Sequence, residues 1–248
     1  MRVTASYLSP EQARRLYDRV GRWQGTQAFY EHRATRELIE LGRFEEAYAV
    51  FEFGCGTGRF AARILAHHLP QQAGYLGVDA SPVMVRLAAE RLRPWGDRAE
   101  VRQSDGSMRL PAGDGQFDRF VANYVLDLLS PDDARELVSG ARRMLAPGGL
   151  VCLTSLSASA TGLSSLVARA WERVWRLRPH LVGGCRPIDA TEYIARAEWT
   201  VVHRRVVTTL GLASEVVIAR RTPPDALLGE LGANVELIVL PAVTEMRL

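Results

Sequence analysis

The feature that most restricts the fold of this 248-residue chain is a repeat of strand, acid and helix. Three β-rich runs, AYAVFEF, AGYLGVD and AEVRQSD, contain or end on Glu52, Asp79 and Asp105, which stand 27 and 26 positions apart. Helical segments follow the first two runs: RFAARILAHHL, then SPVMVRLAAERL with a Ser-Pro start. FDRFVANYV reads as a further strand. SPDDARELVSGARRML is a helix with Ser130 as its cap and acids in its first turn, and LVCLTSL after Pro147-Gly148-Gly149 is a buried strand. Strands that alternate with helices in this way predict a parallel, doubly wound α/β sheet.

Helices are expected before the repeat, over 9–20 and about 29–42. Residues 157–198, with Trp171, Trp175 and Tyr193, are too long for a simple connection and read as a helical insertion over one end of the sheet. WTVVHRRVVTTL and ASEVVIARR follow, joined through Leu210-Gly211-Leu212-Ala213, and so short a link implies an antiparallel hairpin. The organisation expected is one domain over 1–222, with cap segments 1–46 and 157–198. The extension 223–248 contains VELIVL, an extra strand or a dimer contact, so monomer and homodimer both stay open.

Composition excludes several chemistries. All 31 basic residues are arginine, which removes Schiff-base lysines, a lysine general base and a P-loop lysine. The net charge of +3 is spread along the chain, without the clustered cations of a nucleic-acid surface. Cys55, Cys152 and Cys185 are odd in number and far apart, and His67-His68 lacks the spacing of a helical metal site, so neither a disulfide framework nor a metal is expected. No run of 18 apolar residues spans a membrane, and the N-terminus is charged too early for a signal peptide. A cytoplasmic protein is expected, with peripheral membrane contact left open.

The first acid stands in VFEFGCGTGRF, residues 50–60. The glycines run Gly54-x-Gly56-x-Gly58 around Cys55 and Thr57, and Arg59 occupies the place of the third glycine in a dinucleotide fingerprint. A Glu52 carboxylate beside this turn repels a pyrophosphate and favours an ammonium or sulfonium. S-adenosylmethionine carries both, and its ribose calls for an acid at the end of the second strand, where Asp79 stands.

VFEFGCGTGRF, LGVDAS, QSDG, FDRFVANYVLDLL and LAPGGLVCL, in that order over about 48–155, resemble the successive motifs of class I S-adenosylmethionine-dependent methyltransferases. The resemblance implies a Rossmann-like seven-stranded sheet of order 3-2-1-4-5-7-6, whose last hairpin is antiparallel. It implies that Glu52, Gly54, Cys55, Gly56 and Gly58 underlie the methionine part of the cofactor, and that Asp79 with Ala80 meets the ribose. Asp105 and Gly106 would meet the adenine amino group, and Met84 its ring. Asn123 and Tyr124 would line the cofactor and the mouth of the acceptor site, and Tyr17, in a Tyr17-Asp18 pair, would fold over the cofactor. The pattern is most similar to small-molecule members, including phospholipid and quinone methyltransferases. It implies a small-molecule, amphipathic or lipid-like acceptor and S-adenosylhomocysteine as product.

Methyl transfer is an in-line displacement in which the protein positions two partners and excludes water. A general base is needed only for an acceptor that arrives protonated. VLDLL places Asp127 where many small-molecule members carry histidine, and Tyr30 and His32 of the N-terminal cap are the other candidates. His203 reads as a half-exposed strand residue and Cys185 as a structural thiol. The Asn/Asp-Pro-Pro-aromatic motif of nucleic-acid amino methylation is absent, since the chain reads Asn123-Tyr124-Val125-Leu126. Two other readings remain: an NAD-dependent oxidoreductase and a non-catalytic cofactor-binding scaffold.

Overall fold

The computed structural model describes residues 7, 9–20, 28–110, 113–159, 162–195 and 198–222. Trp23, the side chains of Phe29 and Tyr30, and the extension from 223 to 248 lie outside the described residues.

The repeat folds as its periodicity requires. β1 (Ala49–Phe53), β2 (Gly74–Asp79), β3 (Ala99–Gln103), β4 (Phe117–Asn123) and β5 (Leu145–Leu156) are parallel neighbours, and β6 (Trp199–Thr209) and β7 (Leu212–Arg221) close the sheet as an antiparallel hairpin. The seven strands lie in the order β3-β2-β1-β4-β5-β7-β6, with β7 antiparallel to β5. β5 begins at Leu145, so Pro147-Gly148-Gly149 falls inside the strand, where the sequence suggested a loop; its register against β4 shifts between Phe117 and Arg119. An irregular ladder there tolerates the missing proline N–H.

Side chains alternate across the sheet and feed two cores. Phe51, Phe53, Val78, Phe120 and Leu153 meet Leu137, Val138 and Met144 of α5 (Pro131–Met144) on one face. Val50, Tyr75, Val121, Val216 and Ile218 meet the other layer: Leu38 and Ile39 of α2 (Ala28–Leu41), Ile64 and Leu65 of α3 (Arg59–His67) and Leu92 of α4 (Pro82–Leu92). Burying so many branched and aromatic side chains on both faces is what parallel strands require. α2 packs chiefly on β6 and β7, tied by Glu37 Oε1 to His203 Nε2 at 2.8 Å and by Arg33 to the Thr208 carbonyl at 3.2 Å.

Two buried charge clusters fix the frame. Asp118 accepts from the Tyr48 and Ala49 amides at 3.1 Å, while Arg119 donates to the Gly42 and Arg43 carbonyls at 2.7 and 2.6 Å, so β4 anchors the chain entering β1. Glu215 of β7 receives Arg204 at 2.7 Å and the Ala190 amide at 2.8 Å. A buried carboxylate with this many donors is satisfied rather than stranded. The segment between β5 and β6 is the expected helical insertion, led by α6 (Leu163–Leu177), and α1 (Pro10–Val20) lies against α4. No described helix is long and apolar enough to cross a membrane.

Candidate functional site

The carboxyl ends of β1, β2 and β4 open into one cavity of about 720 Å³, the size of a small-molecule site. This is where an open α/β sheet leaves a crevice, because the chain crosses to opposite sides of the sheet after β1 and β4.

The glycine turn forms the floor. Gly54, Gly56 and Gly58 all adopt positive φ (73°, 52° and 71°), and the Gly54 and Cys55 amides donate to the Val78 carbonyl at 2.8 and 3.0 Å. A Cβ at Gly54 would lie 2.5 Å from Val125 Cγ2, and one at Gly58 would lie 3.1 Å from Ala88 Cα. Gly58 therefore admits α4 against the start of α3.

Asp79 seals the turn. Its Oδ2 accepts from the Gly56 amide at 2.9 Å and its Oδ1 from the Ser81 amide at 2.9 Å. Burial pushes its carboxyl up, and the two backbone donors hold it back down. Ser81 caps α4 by accepting from the Met84 amide at 3.2 Å, and its hydroxyl donates to Asp18 Oδ1 at 2.6 Å. That bond clips α1 onto the cavity rim, where Tyr17 and Ala13 join the lining. Tyr17 also reaches the Gly183 carbonyl at 3.4 Å.

Glu52 is 2% exposed and sits within a chain of side-chain bonds: Tyr75 Oη donates to its Oε2 at 2.6 Å, and Asn123 Nδ2 to its Oε1 at 3.2 Å. Thr154 Oγ1 in turn donates to Asn123 Oδ1 at 2.9 Å. Burial raises the Glu52 carboxyl to about 8, against the pull of both donors. The sequence argument took Glu52 as an ionised group that repels pyrophosphate; in this pocket it is instead a carboxyl that ionises readily once a cation is placed beside it. Next to Asn123, Tyr124 carries a positive φ of 54°, an uncommon backbone for an aromatic residue, and its hydroxyl donates to Ser214 at 2.9 Å.

Most residues singled out from the sequence converge here. Tyr17, His32, Glu52, Gly54, Cys55, Gly56, Asp79, Ala80, Met84, Gly106, Asn123 and Tyr124 all line the cavity. Gly58 supports it from beneath. Asp105 does not line it: its side chain is exposed, accepts from the Ser107 amide at 2.8 Å, and borders an adjoining recess with Arg14 and Gln103. Asp127 does not line it either. It is fully buried, and its Oδ2 accepts from the Leu156 amide at 3.2 Å, so the candidate base of VLDLL is a brace for β5. Trp171 and Trp175 donate to the Cys185 and Gly184 carbonyls, both at 2.9 Å, and pack the insertion instead of facing the cavity. Cys185 itself reaches the lining. Among the described residues no group of His, Cys, Asp and Glu is arranged to hold a metal ion.

The sequence missed other wall residues. α2 contributes Thr35 and Ile39 with His32, α3 contributes Arg59, Phe60 and Arg63, and α5 contributes Ser130, Asp133 and Glu136. His32, Thr35 and Ile39, and Asp133 with Glu136, follow helical spacing, a signal present in the sequence. Which face of each helix meets the strand ends is decided only by packing.

Residues 50–149 match the family described as methyltransferase domain. The chain is 35% identical over 121 residues to trans-aconitate 2-methyltransferase of Azoarcus sp. strain BH72, covering 49% of this chain and 44% of that protein. It is 29% identical over 167 residues to malonyl-[acyl-carrier protein] O-methyltransferase of Erwinia pyrifoliae, covering 66% and 57%. The chain thus spans about half the length of the curated relatives it matches. Among solved structures, the [4+2]-cyclase SpnF superposes with a TM-score of 0.67 at 18% identity, over 87% of this chain and 97% of that one. The Bacillus YcgJ protein gives 0.60 at 16% identity, over 77% and 99%. At these identities the structural likeness is one of fold.

Proposed function

We propose that the chain is a class I S-adenosylmethionine-dependent methyltransferase that methylates a small, amphipathic acceptor, a reading supported by its fold and by the methyltransferase-domain match over residues 50–149. The observation that carries this reading is the pairing of two carboxyls, the buried Glu52 and the half-buried Asp79, at the ends of adjacent strands, with a glycine turn between them and a 720 Å³ cavity above.

These residues fit the cofactor. Asp79 offers its carboxylate to ribose hydroxyls, and Glu52 offers a carboxyl that an ammonium would ionise. Met84 and Gly106 present an apolar side chain and bare backbone to a flat ring. The glycine turn, lacking side chains, lets backbone approach closely. S-adenosylmethionine supplies a methyl group already activated by its sulfonium.

The chain's own part is then to position and to exclude water. Tyr124, Leu128, Leu129 and Phe60 give the cavity an apolar wall suited to an amphipathic acceptor, and α1 clips over one rim through Asp18. With Asp127 turned into the core, His32 is the described candidate that faces the cavity and could take a proton. An acceptor that arrives deprotonated needs none. The relatives named for trans-aconitate and malonyl-[acyl-carrier protein] favour a metabolite-type acceptor over nucleic acid.

Calorimetric titration with S-adenosylhomocysteine and, in parallel, NADH tests the reading, with Asp79→Ala as the control. Binding of the first alone, weakened on losing Asp79, is expected. Binding of NADH alone would replace the methyltransferase reading with an oxidoreductase.

A further inference from the structure

α6 turns one side into the protein and the other to solvent. Trp175 is buried, and Trp171 on the same side packs with Tyr124, Leu156 and Cys185 behind the cavity wall. At 100° per residue, Leu166, Ala170, Val174 and Leu177 fall in one stripe about 80° wide, beside the tryptophan side and turned about 120° from it. Their exposure is high for apolar groups: 56% at Leu166, 39% at Val174 and 77% at Leu177.

The stripe continues beyond the helix. Leu181 is 61% exposed just after it. Val167, 38% exposed at its edge, approaches Gly211 in the β6–β7 turn, whose neighbour Leu210 is 85% exposed. Isolated surface leucines need no explanation, but a contiguous patch of this kind marks an interaction surface.

Its charge identifies the partner. Arg169, Arg173 and Arg176 run along one edge of the stripe and Arg178 follows its end, against a single acid, Glu172, already paired with Arg176 at 2.5 Å. Arg173 and Arg178 have no ion pair among the described residues. A second copy docked through the same patch would bring these guanidinium rows together, which is unfavourable. A helix with an apolar stripe edged by arginines suits the boundary of an anionic bilayer, where the stripe enters the acyl region and the cations meet headgroups.

We propose that α6 and the β6–β7 turn form a docking face for an anionic lipid surface. The inner side of the same helix backs the cavity, so the docked protein would hold its acceptor site beside the bilayer from which an amphipathic molecule is drawn. Only this last link rests on the methyl-transfer reading.

Co-sedimentation of the full chain with vesicles of phosphatidylcholine alone, and of phosphatidylcholine with phosphatidylglycerol, tests the docking. The expected result is binding to the mixed vesicles that weakens as salt rises. Leu177→Glu with Leu181→Glu should lower it by about tenfold or more, since two exposed leucines lose their place in the acyl region. Arg173→Glu with Arg178→Glu should abolish the preference for phosphatidylglycerol. Each variant is titrated with S-adenosylhomocysteine, whose unchanged affinity places the defect on the docking face and not in the fold. The proposal is overturned if the wild type stays in the supernatant with both vesicles, if the variants sediment like it, or if the wild type is a dimer that Leu177→Glu splits. Failure of the wild type to bind S-adenosylhomocysteine would remove the methyl-transfer reading and leave the vesicle result standing.

Discussion

Tyr75 reaches two residues along β2 to place its hydroxyl 2.6 Å from Glu52 Oε2 on the neighbouring strand, and Gly77 is the residue that makes room. A Cβ at Gly77 would lie 2.6 Å from that hydroxyl and 2.9 Å from Cys55 Cβ. Tyr75→Phe leaves a buried carboxyl oxygen without its donor, at a cost of about 1–3 kcal/mol. Urea denaturation should show that loss, and S-adenosylhomocysteine should bind about tenfold more weakly as Glu52 becomes harder to ionise. Unchanged stability would mean that the bond is not made in solution.

The pH dependence follows from the same carboxyl. Glu52 rises from 4.5 to about 8 through burial, so the folded chain holds its proton more tightly than the unfolded chain. Its contribution to stability is complete below about pH 4.5, declines between 4.5 and 8, and is gone above 8. The difference between wild type and Glu52→Gln should therefore change by a few kcal/mol across that window. A ligand ammonium reverses the preference. Binding of S-adenosylhomocysteine at pH 7 should expel a proton, visible by calorimetry in buffers of different ionisation enthalpy, and affinity should climb by at most about tenfold per pH unit up to pH 8. A flat profile would remove Glu52 from the ligand's surroundings.

Gly58→Ala tests the close approach of α3 and α4. A positive φ of 71° and a Cβ 3.1 Å from Ala88 together predict a loss of about 1–3 kcal/mol. Ligand affinity should fall with it, because the turn above Gly58 moves as the helices separate. Differential scanning calorimetry reads the first effect and titration the second.

Asp18→Ala opens the clip between α1 and Ser81. The half-buried Asp18 side of this contact keeps its worth to the fold at about 1 kcal/mol. Ligand binding should suffer more than thermal stability, since α1 borders the cavity and contributes little to the cores. A large fall in melting temperature with unchanged affinity would make α1 a packing element only.

The sheet, its order of helices and strands, and the strand-end residues of the cavity were legible in the sequence because parallel strands leave a period, and strand ends leave acids and glycines at fixed intervals. What was not legible depended on direction. Asp105 stands at the right place in the chain, yet its side chain turns outward to Ser107. Asp127 stands two residues beyond the cavity-lining Val125, and its carboxyl turns inward to the Leu156 amide. A one-dimensional pattern locates a residue along the chain but does not say which way an irregular turn rotates it.

The placement of β7 between β5 and β6 has a consequence for how the chain is made. α2 leaves the ribosome early, but the strands on which it rests come near the end of the described chain. Until residues 199–221 have been synthesised, Glu37 and Arg33 have no partners at His203 and Thr208, and the wall bearing His32, Thr35 and Ile39 lacks the strands that carry most of its packing. A nascent chain can thus form the glycine turn and the carboxyl pair well before it can enclose them. The finished cavity is a late product of translation, with α2 waiting for the β6–β7 hairpin.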